Sequence, residues 1–513
     1  MTQMTEAAST FGRLRRDALY RVDDVRALDR IAIEEFGMAG VELMERAGLS
    51  AWRSTRARWP QGNRIAILCG GGNNGGDGFV FARLAAQAGL QPEVFALDSV
   101  KRTGGDAGIA LQRMRKQGVR LREPQQFQPA QFDVVVDALF GTGLSRALDG
   151  AAAQLVHSAN DSQLGRIALD IPSGLDGDTG RALGVVFDSD LTVSFVALKQ
   201  GLFTADARAF CGEILLDDLQ IPDDAYARTP VRAWRVEPAR LLSCQARPLG
   251  ERDARAHKGL FGHVLVIGGE HGFGGAARLC AEACARCGAG LVSVATRTIH
   301  VPALISARPE LMAHGIESAT ALPNLLQAAS VVAIGPGLGR NDWGRELLAT
   351  ALADAADRPV VLDADALNLL AEPTALKIPL QCVMTPHPGE AARLLDCSTA
   401  QVEADRFAAV KQLVERYRCV VLLKGAGTLV AGPSTAVHVI EGGNPGMASG
   451  GMGDVLTGII ASLLAQGLPA IDAAVVGAAL HAMAADTAAS RGGERGLLAA
   501  DLFAPLRRLV EHL

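Results

Sequence analysis

The run GGGNNGGDG holds Gly70-x-Gly72-x-x-Gly75 with Asn73, Asn74, Gly76 and Asp77 around it, so one turn carries free amides, two carboxamides and a carboxylate. The glycine spacing matches a dinucleotide fingerprint, and Asp98 follows a second strand about where a ribose ligand would sit. Glycine spacing alone is common in packing turns. The side chains are what a packing turn does not need: their oxygens suit a weakly held cation or ribose hydroxyls, and a helix start suits phosphate. DVVVDALFGTGLSR places Asp137 at a strand end before Gly141-Thr142-Gly143, and RIALDIPSGLDGDTG places Asp170 at another, with Ser173 close behind. Ligands of open α/β sheets bind beyond the carboxyl ends of strands, so three such ends read better as one crevice than as separate caps. Lys199, in TVSFVALKQGL, is either the cation of that crevice or a solvated lysine.

The second half has its own set: GPGLG at 335–339, VLDADALN at 361–368, TPHPGE at 385–390, KGAGT at 424–428 and NPGMASGGMGDVLTG at 444–458. No Gly-Lys pair occurs, which excludes a Walker-type phosphate loop. In the last run glycines open a helix and Asp454 falls in its first turn. An acid there can serve the helix dipole alone. Amides that cradle an anion beside a carboxylate are also what phosphoryl transfer requires. The amides hold developing charge while the carboxylate takes a hydroxyl proton. The other glycine-rich strand ends favour this second reading. His387, in a Pro-rich turn, is a ligand contact or a packed loop residue.

These residues need sheets to position them. NRIAILCGGGNNGGDGFVFARLAAQAG and GHVLVIGGEHGFGGAARLCAEACARCGAG share one grammar: apolar strand, glycine turn, helix. Each is followed by strand–helix alternation, which predicts an α/β protein with two doubly wound, parallel sheets. Strands are predicted at 65–69, 93–97, 134–138 and 167–171, then at 264–267, 291–295, 331–334, 360–363, 383–385 and 420–424. The pattern lapses from about Pro222 to Lys258, a stretch rich in Pro and Arg that reads as a solvated connector. The boundary is placed after Arg228, giving domains 1–228 and 229–513. Cys280, Cys284 and Cys287 have the spacing of an iron–sulfur ligand set, but at i, i+4 and i+7 of a helical pattern they read as a core face.

A chain of 513 residues, at about 150 per domain, allows two or three domains. Hydrophobic residues are 49% but aromatics only 4%, so aliphatic side chains must fill the cores. The formal charge, 50 minus 55, is −5, which offers no field for nucleic acid or an acidic membrane. The N-terminal stretch lacks the apolar core of a secretory signal, and no uninterrupted apolar run reaches the ~18 residues of a membrane span. Nine scattered cysteines read as reduced thiols. A cytoplasmic protein, bound to neither nucleic acid nor membrane, is expected.

From about Arg21 onward the chain resembles the bifunctional NAD(P)H-hydrate repair enzymes. NNGGDG, DALFGTGL and DIPSGLDGDTG resemble the epimerase, and AHKGLFGHVLVIGG, GPGLG, DADALN, TPHPGE and GGMGDVLTG the ADP-dependent dehydratase. The resemblance implies a Rossmann-like domain followed by a ribokinase-like one, and a homo-oligomer. It implies that Asn73, Asn74, Gly75, Gly76, Asp77, Gly141, Thr142, Gly143, Leu144, Ser145, Arg146 and Ala147 hold NADH or NADPH hydrate, with Asp170 as acid/base. It implies a potassium ion on Asn74, Asp137 and Ser173. In the second half it implies that Ala276, Gly337, His387 and Asp454 contact the hydrate, Asp454 as base. Lys424, Gly425, Ala426, Gly427, Thr428 and Gly453 would hold ADP, with magnesium screening its charge. Glu270 departs from the family pattern and is given no role; Met452 departs too, but only its backbone is needed. Two alternatives stay open: a ribokinase-like kinase of a small vitamin precursor, and a non-catalytic binding module in the first half.

Overall fold

The computed structural model describes residues 17–243, 249–355, 358–373 and 376–513. Residues 1–16, read above for a signal, and Arg247 and Pro248 of the expected connector lie outside them. The described residues separate into two units between Ala233 and Trp234, whereas the sequence placed the boundary after Arg228. The lapse is not a plain connector. It carries the helices Asp223–Ala227 and Pro238–Ser243 and the strand Ala233–Val236.

The first unit is built on β1 (Ile65–Cys69), β2 (Glu93–Ala96), β3 (Leu121–Arg122), β4 (Val134–Ala138), β5 (Gly165–Leu169), β6 (Leu191–Phe195) and β7 (Glu213–Asp217). The order across the sheet is β3-β2-β1-β4-β5-β6-β7, with every pair parallel. All five residues of β1 and of β4 are buried, as a sheet covered on both faces demands. Strand order reverses at β1, so loops leaving β1 and β4 diverge and open a crevice. A separate short parallel pair sets Leu19 beside Leu198 and Tyr20 beside Lys199.

The second unit contains β8 (His263–Ile267), β9 (Leu291–Thr296), β10 (Met312–Gly315), β11 (Val331–Ile334), β12 (Val360–Leu362), β13 (Cys382–Met384), β14 (Val420–Leu423), β15 (Thr428–Ala431) and β16 (Val437–Ile440). These run β10-β9-β8-β11-β12-β13-β14-β15-β16. Pairing is parallel through β14 and antiparallel beyond it. Cys280, Cys284 and Cys287 are fully buried along the helix Gly274–Arg286, as core-face residues should be. That helix lies close to Met452–Ala465 because Gly458 has no side chain: a Cβ there would stand 2.1 Å from the Cys280 carbonyl oxygen. One helix, Ala470–Gly492, is long and apolar enough to cross a membrane, but its apolar window is 67% buried in the protein.

Candidate functional site

At the crevice of the first unit, NNGGDG is not a loop. Asn73 begins a helix that runs to Gln87, so Asn74, Gly75, Gly76 and Asp77 form its first turns. Gly75 is required by close approach, since a Cβ would stand 1.9 Å from the Gly70 carbonyl oxygen. The helix start, the ends of β4 and β5 and the segment after β6 surround a cavity of about 910 Å³. Its lining includes Asp29, Asn73, Asn74, Asp77, Gly141, Thr142, Gly143, Asp170 and Lys199. Leu144 to Ala147 do not line it, and Ser145, Arg146 and Ala147 are exposed. Asp98 is not there either: it is exposed and paired with Lys101 at 2.7 Å.

Asp137 is fully buried, and both its oxygens are used. Oδ2 accepts the Ser173 backbone N–H at 2.7 Å; Oδ1 accepts the Ser173 hydroxyl at 2.7 Å and the Leu139 N–H at 3.1 Å. Burial raises its carboxyl to about 6 against the pull of those bonds. Asn74 is 8% exposed, yet neither its Oδ1 nor its Nδ2 has a hydrogen-bond partner among the described residues. A buried carboxamide left so costs free energy, which points to a ligand that completes it.

Asp170 takes φ +67° just after β5, the left-handed region that Asp tolerates better than most residues. One carboxylate oxygen accepts from the Lys199 ammonium and the other from the Thr142 N–H at 3.3 Å. Lys199 is fully buried and also donates to the Ser194 hydroxyl at 3.1 Å and the Phe195 carbonyl at 2.9 Å. The solvated-lysine alternative is thereby excluded. Val196, at φ +66°, is a β-branched residue in a region it normally avoids. Strain thus collects on both sides of the Asp170–Lys199 pair, as it does at many functional sites. Asp77 is raised well above the carboxylate range by burial, then by the charges of Asp170 and Asp29. Asp29, which the sequence reading missed, is raised to about 6 by burial.

In the second unit, the helix Met452–Ala465 starts from Gly451 at φ +92°, and its first-turn amides have no intrahelical acceptor. Asp454 sits in that turn and accepts no hydrogen bond among the described residues. Burial, then the charge of Asp363, raises its carboxyl to about 7. Asp363, at the end of β12, accepts from Lys424 Nζ at 2.8 Å and from the Thr457 hydroxyl at 2.8 Å. Lys424 Nζ also lies 3.8 Å from Glu390. Burial alone would lower the Lys424 ammonium, but Asp363 and Glu390 outweigh it and the group is raised. A Cβ on Gly453 would stand 3.3 Å from that ammonium, so Lys424, Asp363 and the glycine-led helix start meet at one point.

His387 caps the helix Pro388–Leu395: its Nδ1 accepts the Gly389 N–H at 3.0 Å, and its backbone N–H donates to Glu390 at 2.8 Å. Burial, then Lys424, lowers the imidazole, which keeps it neutral with Nδ1 as acceptor. Glu390 is raised to about 7 by burial. Ala276, in the first turn of the helix Gly274–Arg286, meets Gly337 in the loop after β11, where a Cβ on Gly337 would lie 3.2 Å from that of Ala276. Gly425 to Gly427 form the turn between β14 and β15, and Thr428 opens β15. Glu390, Asp363 and Thr457 were missed as site residues, although TPHPGE and DADALN contained the first two. Among the described residues, no three His, Cys, Asp or Glu side chains form a metal-binding group.

A doubly wound sheet with a polar cavity at its switch point, followed by a second sheet whose glycine-led helix meets a lysine–carboxylate cluster, defines a two-domain α/β enzyme, Rossmann-like then ribokinase-like. The family described as NAD(P)H-hydrate dehydratase matches residues 264–508, and the YjeF-related protein N-terminus family matches residues 40–201. The chain is 46% identical to the bifunctional NAD(P)H-hydrate repair enzyme Nnr of Coxiella burnetii, over 96% of this chain and 99% of that protein. It is 44% identical to the enzyme of that name from Escherichia coli, over 96% and 94%. Among solved structures, the ADP/ATP-dependent NAD(P)H-hydrate dehydratase of Bacillus subtilis, co-crystallized with ATP and Mg2+, is 30% identical with a TM-score of 0.46, over 51% of this chain and 93% of that one. The chain belongs to the family of bifunctional NAD(P)H-hydrate repair enzymes.

Proposed function

We propose that the two sites divide the repair of hydrated nicotinamide cofactors between them. The first unit interconverts the R and S epimers of NADH or NADPH hydrate, and the second dehydrates the S form at the expense of ADP. The observation that carries this reading is Asp454: a carboxyl raised to about 7, with no hydrogen-bond donor of its own, at a helix start beside Lys424. There it takes the proton of the C6 hydroxyl. The oxygen attacks the β-phosphorus of ADP and AMP leaves. Phosphate then departs from C6 as a proton leaves the neighbouring C5, restoring the double bond. Lys424 to Thr428 and Gly453 hold the nucleotide, while Ala276, Gly337 and His387 border the hydrate. Magnesium would screen the phosphate charge, and the open Asp454 carboxylate and the first-turn amides suit such a charged co-substrate.

In the first unit Asp170 moves the proton and Lys199 holds it in place; Asn73 to Asp77 and Gly141 to Gly143 surround the hydrate. The unpartnered Asn74 carboxamide, with the oxygens of Asp137 and Ser173, suits a potassium ion, whose preference is for oxygen donors. It would supply a fixed positive charge to the bound hydrate. A cytoplasmic location and a homo-oligomer complete the proposal. The test is to incubate the protein with mixed R- and S-NADPH hydrate, with and without ADP, and follow the reduced-nicotinamide absorbance. Full recovery with ADP and none without it is expected. Recovery that stops at the S fraction would remove the epimerase assignment, and phosphorylation of a stable alcohol would favour a kinase.

A further inference from the structure

We propose that a second cavity in the C-terminal unit, lined by none of the residues assigned above, binds a ligand bearing a diphosphate. The cavity holds about 860 Å³ and lies among the helix Gly274–Arg286, Arg308 and the helix Phe503–Leu509. Five guanidinium groups line it, those of Arg278, Arg286, Arg308, Arg507 and Arg508, against the carboxylates of Glu282 and Glu511. In a chain of formal charge −5, such a surplus is not general basicity.

The acids present do not neutralise it. Glu282 is 2% exposed and serves three arginines at once: Arg308 Nε at 2.6 Å, and Arg278 and Arg286 at 3.8 Å each. Arg278 Nε is buried without a hydrogen-bond partner. Arg507 and Arg508, on the facing helix, have no acidic partner among the described residues. Leu279, Ala500, Phe503 and Ala504 supply an apolar floor and wall. Planar guanidinium forks carried by two separate helices and by Arg308 match two linked phosphates, each offering paired oxygens. The volume falls within the ~300–1,000 Å³ usual for small-ligand sites. Five guanidinium groups against two carboxylates leave a positive surplus larger than the charge of a single phosphate, which is why the ligand is assigned a diphosphate.

The diphosphate can be inorganic or nucleotide-borne, and calorimetry on the full-length chain separates the two. Pyrophosphate is titrated in one arm and ADP in the other, for the unmodified protein, for Arg507→Gln/Arg508→Gln and for Ala504→Trp. Ala504→Trp fills the cavity from an exposed position without changing charge, and so guards against a folding defect in the double variant. In at least one arm, a binding site present in the unmodified protein should be lost or weakened about tenfold or more in both variants. Loss in the pyrophosphate arm identifies the inorganic source, and loss in the ADP arm the nucleotide. An exposed control elsewhere, Arg491→Gln, should leave binding within about twofold. Titrations unchanged in both variants would overturn the proposal. So would dissociation of an oligomer by the variants with no change in either titration.

Discussion

The two units repeat one strand order, 3-2-1-4-5-6-7 in the first unit's own numbering, and each sets an acid against a lysine, but the lysine is used differently. In the first unit Lys199 holds Asp170 itself, the acid assigned to the chemistry. In the second, Lys424 holds Asp363, and Asp454 stands beside the pair without a donor. A carboxylate held by an ammonium is fixed in orientation. One that sees burial and a like charge is poised to gain or lose a proton near neutrality. The same scaffold thus sets a held acid or a poised base according to which neighbour takes the lysine.

The largest expected effect separates the two acids. Asp454→Asn should lower dehydration by ~10² to 10⁴ while leaving epimerisation unchanged, and Asp170→Asn should do the reverse. Each is read by single-epimer assays, and a variant that loses both activities would break the comparison. Next, Lys199→Met leaves Asp170, partly buried at the cavity, without its counter-ion, a change that costs up to about 3–5 kcal/mol. Thermal unfolding should show the first unit melting early and the second unmoved. The equivalent loss at Lys424 should appear in nucleotide binding as well as in stability.

A smaller effect concerns pH. Asp454 must be ionised to act as base, so kcat/KM for dehydration should fall about tenfold per unit as pH drops below 7. Glu390 is also raised to about 7 and shares Lys424, so the apparent value belongs to the cluster. Stability moves the opposite way. Carboxyls raised in the folded state favour the protonated protein, so their contribution is lost as pH rises through about 7. The smallest expected effect is at Asn74: Asn74→Ala should reduce any stimulation of epimerisation by potassium over sodium severalfold and leave dehydration untouched.

The central strands were legible because nothing but a covered sheet explains runs such as IAILC and VVVDA, each buried throughout. β6, LTVSF, was not, because Thr192 and Ser194 alternate with aliphatic residues although both faces are buried. β3 spans two residues at the sheet edge and carries no pattern to read. The glycine turns and Asp137, Asp170 and Asp454 could be read from their places after strands or at a helix start. Lys199 was ambiguous because a lysine is normally solvated, and what buries it is Asp170, 29 residues earlier in the chain. Glu390 and Asp363 act through partners distant in sequence, so only the folded chain shows that they share Lys424.

The buried thiols have a consequence of another kind. Cys69 and Cys211 lie sealed in the first unit, and Cys280, Cys284, Cys287, Cys382 and Cys419 in the second, while Cys397 is partly open. Alkylating reagents attack thiolates, and burial raises groups such as Cys69 and Cys287 well above the usual thiol range. Their modification must therefore wait for the surrounding structure to open. Each sheet carries its own chemical clock, and the two can be timed separately in one sample of the native protein.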